Sequence, residues 1–331
     1  MPAFPRPRFG FGTRAPEPPP VRAEEPTTPQ IDVVEAYGLR WINVQRPGRL
    51  EFAWLRENFD FHALDYEDVA SRNQRPKVDV YDDYIFVVLH FPDYDKTVGR
   101  LNAVELDVFI GPDYVITIPN RPLRTIEYLF SRVEQRDDER DRHFAKGPGY
   151  LVYRIVDECV DASFPMLRKI GNKLEQLEED IFEGRSKEIV RDISNAKQEI
   201  INFRKIVRPQ RTALQELNAA GRYLVEDQEL YFDDIKDASE RIWDMLENFK
   251  EVSEALESSN ESVLAHQQSG ALNVLTAMSV IVLPLTFVAS LWGMNVQVPG
   301  QDNLTWFFGL IVAMAALFAG MAFWFRRSGL L

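Results

Sequence analysis

Weakly polar side chains recur at steps of three and four residues in a charge-free segment near the end of the chain. They are Thr276, Ser279, Thr286 and Ser290, with Leu283 among them. Residues at this spacing share one face of an α-helix. Such a face could line a path for ions, or it could be a seam where small side chains let two membrane helices pack closely. The spacing alone leaves both interpretations open.

The remaining chemistry-bearing residues do not form a catalytic pattern. Four histidines, at 62, 90, 143 and 266, are scattered without metal-ligand spacing, and Cys159 is the only cysteine, so no intrachain disulfide can form. There is also no phosphate-binding glycine loop. With 38 basic and 51 acidic residues the net charge is −13, which argues against nucleic acid as a partner. We therefore expect neither an enzyme nor an organic cofactor.

Two segments, 271–292 and 304–325, contain no charged residue and are each about 22 residues long, enough to cross a bilayer core of about 30 Å. Tryptophans lie at the ends of these segments, and they argue against the alternative of a buried helical hairpin in a soluble protein. The connection 293–303 is too short for a domain, so the spans form an antiparallel hairpin embedded in lipid. Arg326 and Arg327 follow the second span, and the positive-inside rule then places both termini in the cytoplasm and the protein in the plasma (inner) membrane.

Any transport through this hairpin must be driven by the gradient of the ion itself and by the membrane potential. Neither span contains an acid, a base or a histidine that could relay protons. Passive movement remains, and a divalent cation gains about 4.6 kcal/mol from an inside-negative potential of 100 mV, at about 2.3 kcal/mol per charge.

The N-terminal half is predicted to begin with a disordered, proline-rich arm at 1–30, followed by a cytoplasmic α/β domain at 31–145. Short apolar runs predict strands at 39–44, 78–91, 103–111 and 114–119, and a helical pattern lies between the first two. Val104, Leu106 and Val108 alternate with Glu105 and Asp107, which is typical of a half-buried strand.

The C-terminal half is predicted to be helical. A cytoplasmic helical hairpin at 146–208 contains one amphipathic helix over 150–182 and a second helix that ends before Pro209. A stalk helix at 209–270 then continues into the first span, for about 80 residues and roughly 120 Å in total. No compact domain is that wide, so we expect a stalk that enters the bilayer.

Gly293-Met294-Asn295 stands at the outer end of the first span, after the sequence PLTFVASLW, and a basic tail at 326–331 follows the second span. This arrangement, together with HALDYEDVASRNQRPKVDVYDDYIFVVLHF at 62–91, resembles the CorA family of divalent-cation channels. The resemblance covers nearly all of the chain except the proline-rich arm. It implies a homopentameric funnel, with the first span of each subunit around the pore.

The resemblance also implies roles for residues of the first span. Gly293, Met294 and Asn295 would form the outer mouth, where neutral oxygens hold a hydrated Mg²⁺ without removing its water. Leu275 and Leu283 would be hydrophobic constrictions, with Ser279, Thr286 and Ser290 as the polar lining. Gly293 would permit a close approach or a turn.

A regulatory Mg²⁺ site is implied as well, between cytoplasmic domains of neighbouring subunits. Asp234 resembles the stalk acid of that site and Asp95 resembles its partner on the α/β domain, with Asp93, Asp233 and Asp237 as neighbours. A solvated acidic face is the alternative interpretation, because the chain is rich in acids.

One departure concerns the outer loop, which reads VQVPGQDN instead of the acidic Met-Pro-Glu-Leu of many family members. Cation attraction at the mouth is then weaker, or the ion preference differs. Two alternatives stay open: a zinc transporter of the related branch, and a membrane-anchored binding or signalling protein in which the hairpin is only an anchor.

Overall fold

The computed structural model describes residues 28–45, 47–71, 74–95, 100–185, 189–220, 223, 228–294 and 304–327. The greater part of the predicted N-terminal arm, 1–27, lies outside the described residues. So do Asn295, the rest of the outer loop to 303, and the last four residues of the basic tail.

A six-stranded sheet forms the N-terminal α/β domain, in the order β1-β2-β6-β5-β4-β3. The strands are β1 (Asp32–Ala36), β2 (Leu39–Asn43), β3 (Lys77–Val80), β4 (Ile85–Asp95), β5 (Arg100–Ile110) and β6 (Tyr114–Pro119). Only the β2–β6 pair is parallel; the other neighbours are antiparallel. The predicted run 78–91 is thus divided between β3 and β4, and β1 was missed because its short, partly exposed sequence shows no apolar alternation.

Helices cover both faces of this sheet. On one face lie α1 (Arg49–Asn58) and α2 (Ala63–Ser71), which form a core with Phe86 and Phe109 of the sheet. The other face packs on a larger core that also includes α3 (Arg124–Gln135), α4 (Asp137–Phe144) and the helices that follow.

The prediction that β5 is half-buried is wrong. Glu105 and Asp107 are 2% and 1% exposed, because their side chains lie beneath α1 and α2 rather than in solvent. Glu105 accepts a hydrogen bond from the backbone N–H of Gln74 at 2.7 Å and lies 3.5 Å from His90 Nε2. One oxygen of each carboxyl has no hydrogen-bond partner among the described residues. Strand alternation alone does not show that a polar face is covered.

The predicted amphipathic helix over 150–182 is two consecutive helices, α5 (Pro148–Asp161) and α6 (Ser163–Phe182). They divide at Ala162 because Pro165 has no N–H to donate to the carbonyl of Asp161. The apolar stripe is nevertheless continuous, and Leu151, Ile155 and Leu174 are buried in the large core, as is Cys159.

The predicted helix end before Pro209 is also wrong, because α7 (Val190–Ala220) passes through this proline. Buried residues on both sides, such as Phe203 and Leu214, hold α7 on the domain. Gln210 strengthens the attachment, since its Oε1 accepts a hydrogen bond from the backbone N–H of His90 on β4 at 2.7 Å. Tertiary packing here offsets the cost of one missing helical hydrogen bond.

The stalk is one helix, α8 (Gln228–Trp292), of 65 residues. At about 1.5 Å per residue it is roughly 100 Å long, shorter than predicted because it begins after α7 instead of at Pro209. Pro284 lies inside its apolar end. The last helix, α9 (Leu304–Arg327), returns beside that end.

We predict that Asp107→Asn stabilises the protein at neutral pH. Burial raises the pKa of Asp107 well above its usual value, and the charge of Glu105 adds to this. An ionised carboxyl with a raised pKa in the folded state destabilises that state; the cost is absent below the unfolded pKa of about 3.9 and grows as pH rises from there to the folded pKa.

The measurement is the thermal midpoint of the full-length protein at pH 8 and at pH 4. Asp107→Asn should raise the thermal midpoint at pH 8, by roughly 2–4 °C for each kcal/mol added to the free energy of unfolding. At pH 4 it should leave the midpoint unchanged. Asp60→Asn, at an exposed carboxyl, is the matched control. An equal or lower midpoint for Asp107→Asn at pH 8 would contradict the prediction.

Candidate ion path and metal-binding residues

The apolar end of α8 packs on α9 through one face only. Ala277 and Ile281 of α8 and Phe325 of α9 are buried against one another. Leu285, Met321 and Ala322 surround them. Outside this contact both helices expose their apolar side chains, and the most apolar part of α9 has no buried residue. The buried hairpin of a soluble protein is therefore not what the chain forms, and both helices are long and apolar enough to cross a membrane.

The predicted stripe lies on the opposite face of α8. Its members are all exposed: Thr276, Ser279, Leu283, Thr286 and Ser290, and so is Leu275. At about 100° per residue these residues occupy an arc of roughly 100°, centred about 170° from the face that packs on α9. The structure therefore separates the stripe from the contact within the hairpin. The stripe residues therefore take no part in the packing of α8 on α9.

The stripe is long enough to run through most of a bilayer. From Leu275 to Ser290 it rises about 22 Å at 1.5 Å per residue, compared with a hydrocarbon core of about 30 Å. Ser279 Oγ donates to the carbonyl of Leu275, and Thr286 Oγ1 donates to the carbonyl of Val282, each at 2.9 Å. Each hydroxyl proton is thus satisfied within the helix, and the oxygen presents its lone pairs to the exposed side. These oxygens can accept hydrogen bonds from water or from a hydrated cation.

The predicted mouth begins where α8 ends. Gly293 donates its N–H to the carbonyl of Ala289 at 3.0 Å, which closes the last helical turn. A Cβ at Gly293 would lie 3.3 Å from that carbonyl oxygen, so a side chain is tightly restricted there. The φ of Gly293 is not positive, so the chain makes no left-handed turn at this residue. Met294 is exposed, and Asn295 follows outside the described residues.

The predicted regulatory acids lie on two different elements. Asp93 and Asp95 belong to the end of β4, opposite Asn102 and Arg100 of β5. Asp233, Asp234 and Asp237 are exposed on the first turns of α8.

Asp234 belongs to an acidic surface that α8 shares with α5. Its Oδ2 lies 3.4 Å from the hydroxyl of Tyr153. Burial, with the charges of Asp161 and Asp234, raises the pKa of Asp157 to about 6, although Arg154 opposes this. Burial, Glu158 and Asp234 also raise the pKa of Asp161. Sequence analysis missed Asp157 and Asp161; their only signal is a spacing of four residues on one edge of α5.

Three other carboxylates form the one compact group of possible metal ligands in the described part of the chain. The nearest oxygens of Asp65, Asp68 and Asp79 lie within 4.8 Å of one another. Lys77 already supplies a cation there: its Nζ donates to Asp68 at 2.7 Å and also to Asp79. Asp65 accepts hydrogen bonds from the hydroxyls of Tyr81 and Tyr84 at 2.9 and 2.6 Å. The group is therefore an internally compensated polar cluster, and it shares no residue with the predicted regulatory set.

Sequence comparisons identify relatives over nearly the whole chain. A putative metal ion transporter of Bacillus subtilis, YfjQ, is 30% identical over 294 residues, which are 87% of this chain and 89% of that protein. The cobalt/magnesium transport protein CorA of Thermotoga maritima is 28% identical over 292 residues, covering 87% and 82% of the two chains. The zinc transport protein ZntB of Pectobacterium atrosepticum is 19% identical over 299 residues, covering 90% and 89%.

The fold also matches a solved structure. The complete CorA magnesium transporter of Methanocaldococcus jannaschii superimposes with a TM-score of 0.79 at 20% identity, covering 90% of this chain and 93% of that one. Both the α/β domain and the long helix with its apolar hairpin are included at that coverage. Residues 37–327 match the family described as CorA-like Mg2+ transporter protein. The chain thus belongs to the CorA-like family of divalent-cation transporters, which are membrane transporters and not enzymes.

Proposed function

We propose that this protein is a passive Mg²⁺ influx channel of the plasma (inner) membrane, assembled as a homopentamer with both termini in the cytoplasm. The observation that carries the proposal is the stripe on α8, which faces away from α9 and leads to Gly293-Met294-Asn295. One hairpin encloses no pore, so the stripe becomes a pore lining only when several copies surround an axis. Co²⁺ is a second candidate cargo, since relatives with similar chains are named for cobalt and magnesium.

Ion selection is proposed to occur at the outer mouth. Mg²⁺ releases its first-shell water reluctantly, and a ring of neutral amides and carbonyls can bind the hydrated ion through its water. Asn295 supplies such an amide directly after Met294. Because the ring carries no charge, the bound ion is held weakly enough to leave again.

The hydrophobic members of the stripe are proposed to form the gate. Leu275 and Leu283 lie about two helical turns apart on the same face as the hydroxyl residues. A ring of leucines can exclude water, and a hydrated divalent ion cannot pass a dry constriction. Ser279 lies between the two leucines and gives a hydrated ion a polar contact there.

Closure is proposed to depend on cytoplasmic Mg²⁺ between neighbouring subunits. Asp95 and Asp93 at the end of β4 of one subunit would face Asp234 and Asp237 on α8 of the next, and carboxylates are suitable ligands for Mg²⁺. Loss of the ion leaves like charges opposed, which favours separation of the domains. In this view Mg²⁺ is both the transported ion and the regulatory ligand.

A second candidate function is zinc transport. The similarity to ZntB extends over 90% of this chain. The outer loop also has Asp302 as its only acid, so cation attraction at the mouth differs from that of relatives with more acidic loops.

The first prediction concerns the mouth. Purified protein in sealed liposomes, with a magnesium-sensitive dye inside and a negative-inside potential, should admit Mg²⁺ in a saturable manner. Asn295→Ala should reduce this flux at least tenfold, because it removes the amide that contacts the hydrated ion. Asn260→Ala, in the stalk portion of α8, is a control for a general effect of removing an amide.

Other outcomes of the same assay separate the alternatives. Zn²⁺ entry coupled to a proton gradient, without Mg²⁺ entry, would favour the zinc transporter. No flux of any divalent ion would favour the anchored protein. Competition by Co²⁺, Ni²⁺ and Zn²⁺ would rank selectivity.

The second prediction concerns the gate. Leu283→Asn should raise the resting Mg²⁺ flux several-fold, because an amide keeps the constriction hydrated. Met278→Asn, also exposed but on a different face of α8, should leave the resting flux close to that of the unaltered protein. Equal fluxes through the Leu283 variant and the unaltered channel would exclude the gating role.

The third prediction concerns regulation. Asp95→Lys combined with Asp234→Lys should increase by tenfold or more the Mg²⁺ concentration that half-inhibits flux from the side of the α/β domain. Asp60→Lys combined with Asp192→Lys makes the same charge change at exposed acids elsewhere. Unaltered inhibition in the first pair would show that the assignment is wrong.

A further inference from the structure

A groove between α7 and α8 combines basic side chains with an apolar floor. Its volume is about 270 Å³, close to the lower end of ordinary ligand sites, which is about 300 Å³. Five basic residues line it against one acid: Lys197, Arg204, Lys205, Arg208, Lys250 and Glu254. This is unusual in a chain whose net charge is −13. The groove is therefore a local basic site on an acidic protein.

Ion pairs between the two helices account for only part of this charge. In the two ion pairs that join the helices, α7 supplies the cation and α8 supplies the acid: Lys197 pairs with Glu257 at 2.6 Å, and Arg204 pairs with Glu247. Lys250 lies 3.6 Å from Glu254 of its own helix, where both side chains are substantially exposed.

Two of the five basic residues of the groove are not accounted for by these ion pairs. Lys205 and Arg208 are exposed, and neither forms an ion pair within the part of the chain that the structure describes. They are three residues apart and so lie on the same side of α7, one turn from each other. An anion in the groove would meet both, together with the outer part of Arg204.

The floor of the groove is made by Ile200, Ile201 and Trp243. The guanidinium of Arg204 lies 5.0 Å from the centre of the Trp243 ring, which fixes the arginine beside the groove. Apolar side chains under a row of cations suit a ligand that has a flat, weakly polar part as well as a strongly anionic part.

We propose that this groove binds a nucleoside polyphosphate, with its phosphates on Arg204, Lys205 and Arg208 and its ring on the apolar floor. Arginine and lysine are the side chains that bind phosphate oxygens most strongly, and arginine can do so through two parallel hydrogen bonds. The three phosphates of a nucleoside triphosphate carry enough charge to engage cations from successive turns of α7.

Anionic lipid does not fit this position. Lys250 precedes the apolar segment that begins at Ala271 by about 21 residues, or roughly 30 Å of helix. The groove lies even further along the stalk at Trp243. A soluble anion reaches it, whereas a headgroup of a flat bilayer does not.

Binding is tested on the full-length protein in detergent, with ATP as the probe and EDTA in every sample so that no Mg²⁺ contributes. Equilibrium dialysis of radiolabelled ATP should show saturable binding. Arg208→Glu should weaken it at least tenfold, and Arg208→Gln should weaken it less. Arg191→Glu, the same charge change at an exposed position of α7 about 25 Å away, should leave it within twofold.

Several results would overturn the proposal. One is no saturable ATP binding by the unaltered protein up to millimolar concentration. Another is an equal loss in Arg208→Glu and Arg191→Glu, which would indicate a general effect of charge. Inorganic triphosphate that binds as tightly as ATP would refute recognition of the nucleoside. A changed oligomer mass in Arg208→Glu, with unaltered ATP binding, would show that the groove is a contact between copies of the chain.

Discussion

One helix, α8, has a first part suited to water and a last part suited to lipid. The rest of the structure depends on how this helix joins the two environments. The first part of α8 packs on the α/β domain and its neighbouring helices, and its last part is apolar enough for a bilayer. In hydrocarbon every backbone N–H and C=O must be paired within the protein, and a continuous helix meets this requirement without a loop at the membrane surface. The exception is the carbonyl of Val280, since Pro284 has no N–H to donate to it.

The domain holds this helix by several kinds of contact. Near its start, Tyr231 packs on Tyr150 and Tyr153 of α5, with ring centres 5.1 and 4.8 Å apart. Lys146 donates to the hydroxyl of Tyr231 at 2.7 Å. Further along, acids of α8 pair with bases of α7, and the buried face contributes to the large core. A change in the α/β domain can thus reach α8 through side chains that are already packed.

The apolar hairpin is held differently. Its internal contact is small, and the residues that carry the proposed ion path lie on the face that this contact leaves exposed. An exposed face that combines hydroxyls with leucines is poorly suited to contact with lipid. In a single chain it also does not enclose a path for ions. In the proposed homopentamer, the hairpin of one chain would be only a fraction of the structure that surrounds an ion. The fold of the single chain determines which residues share the exposed face, and the proposed assembly would determine the width of the path between the copies.

The sequence by itself determined the order of the parts: the α/β domain, the helical stalk, two spans, and the face of the first span that carries hydroxyls. These properties follow from local periodicity, charge-free length and a short motif, which depend on neighbours in the chain. Tertiary structure decided what those signals do not report. Pro209 remains inside α7 because packing on β4 and α8 outweighs one lost hydrogen bond, and Glu105 and Asp107 are buried because two helices cover their side of the sheet. In both cases the deciding contacts come from residues distant in sequence, which no local pattern contains.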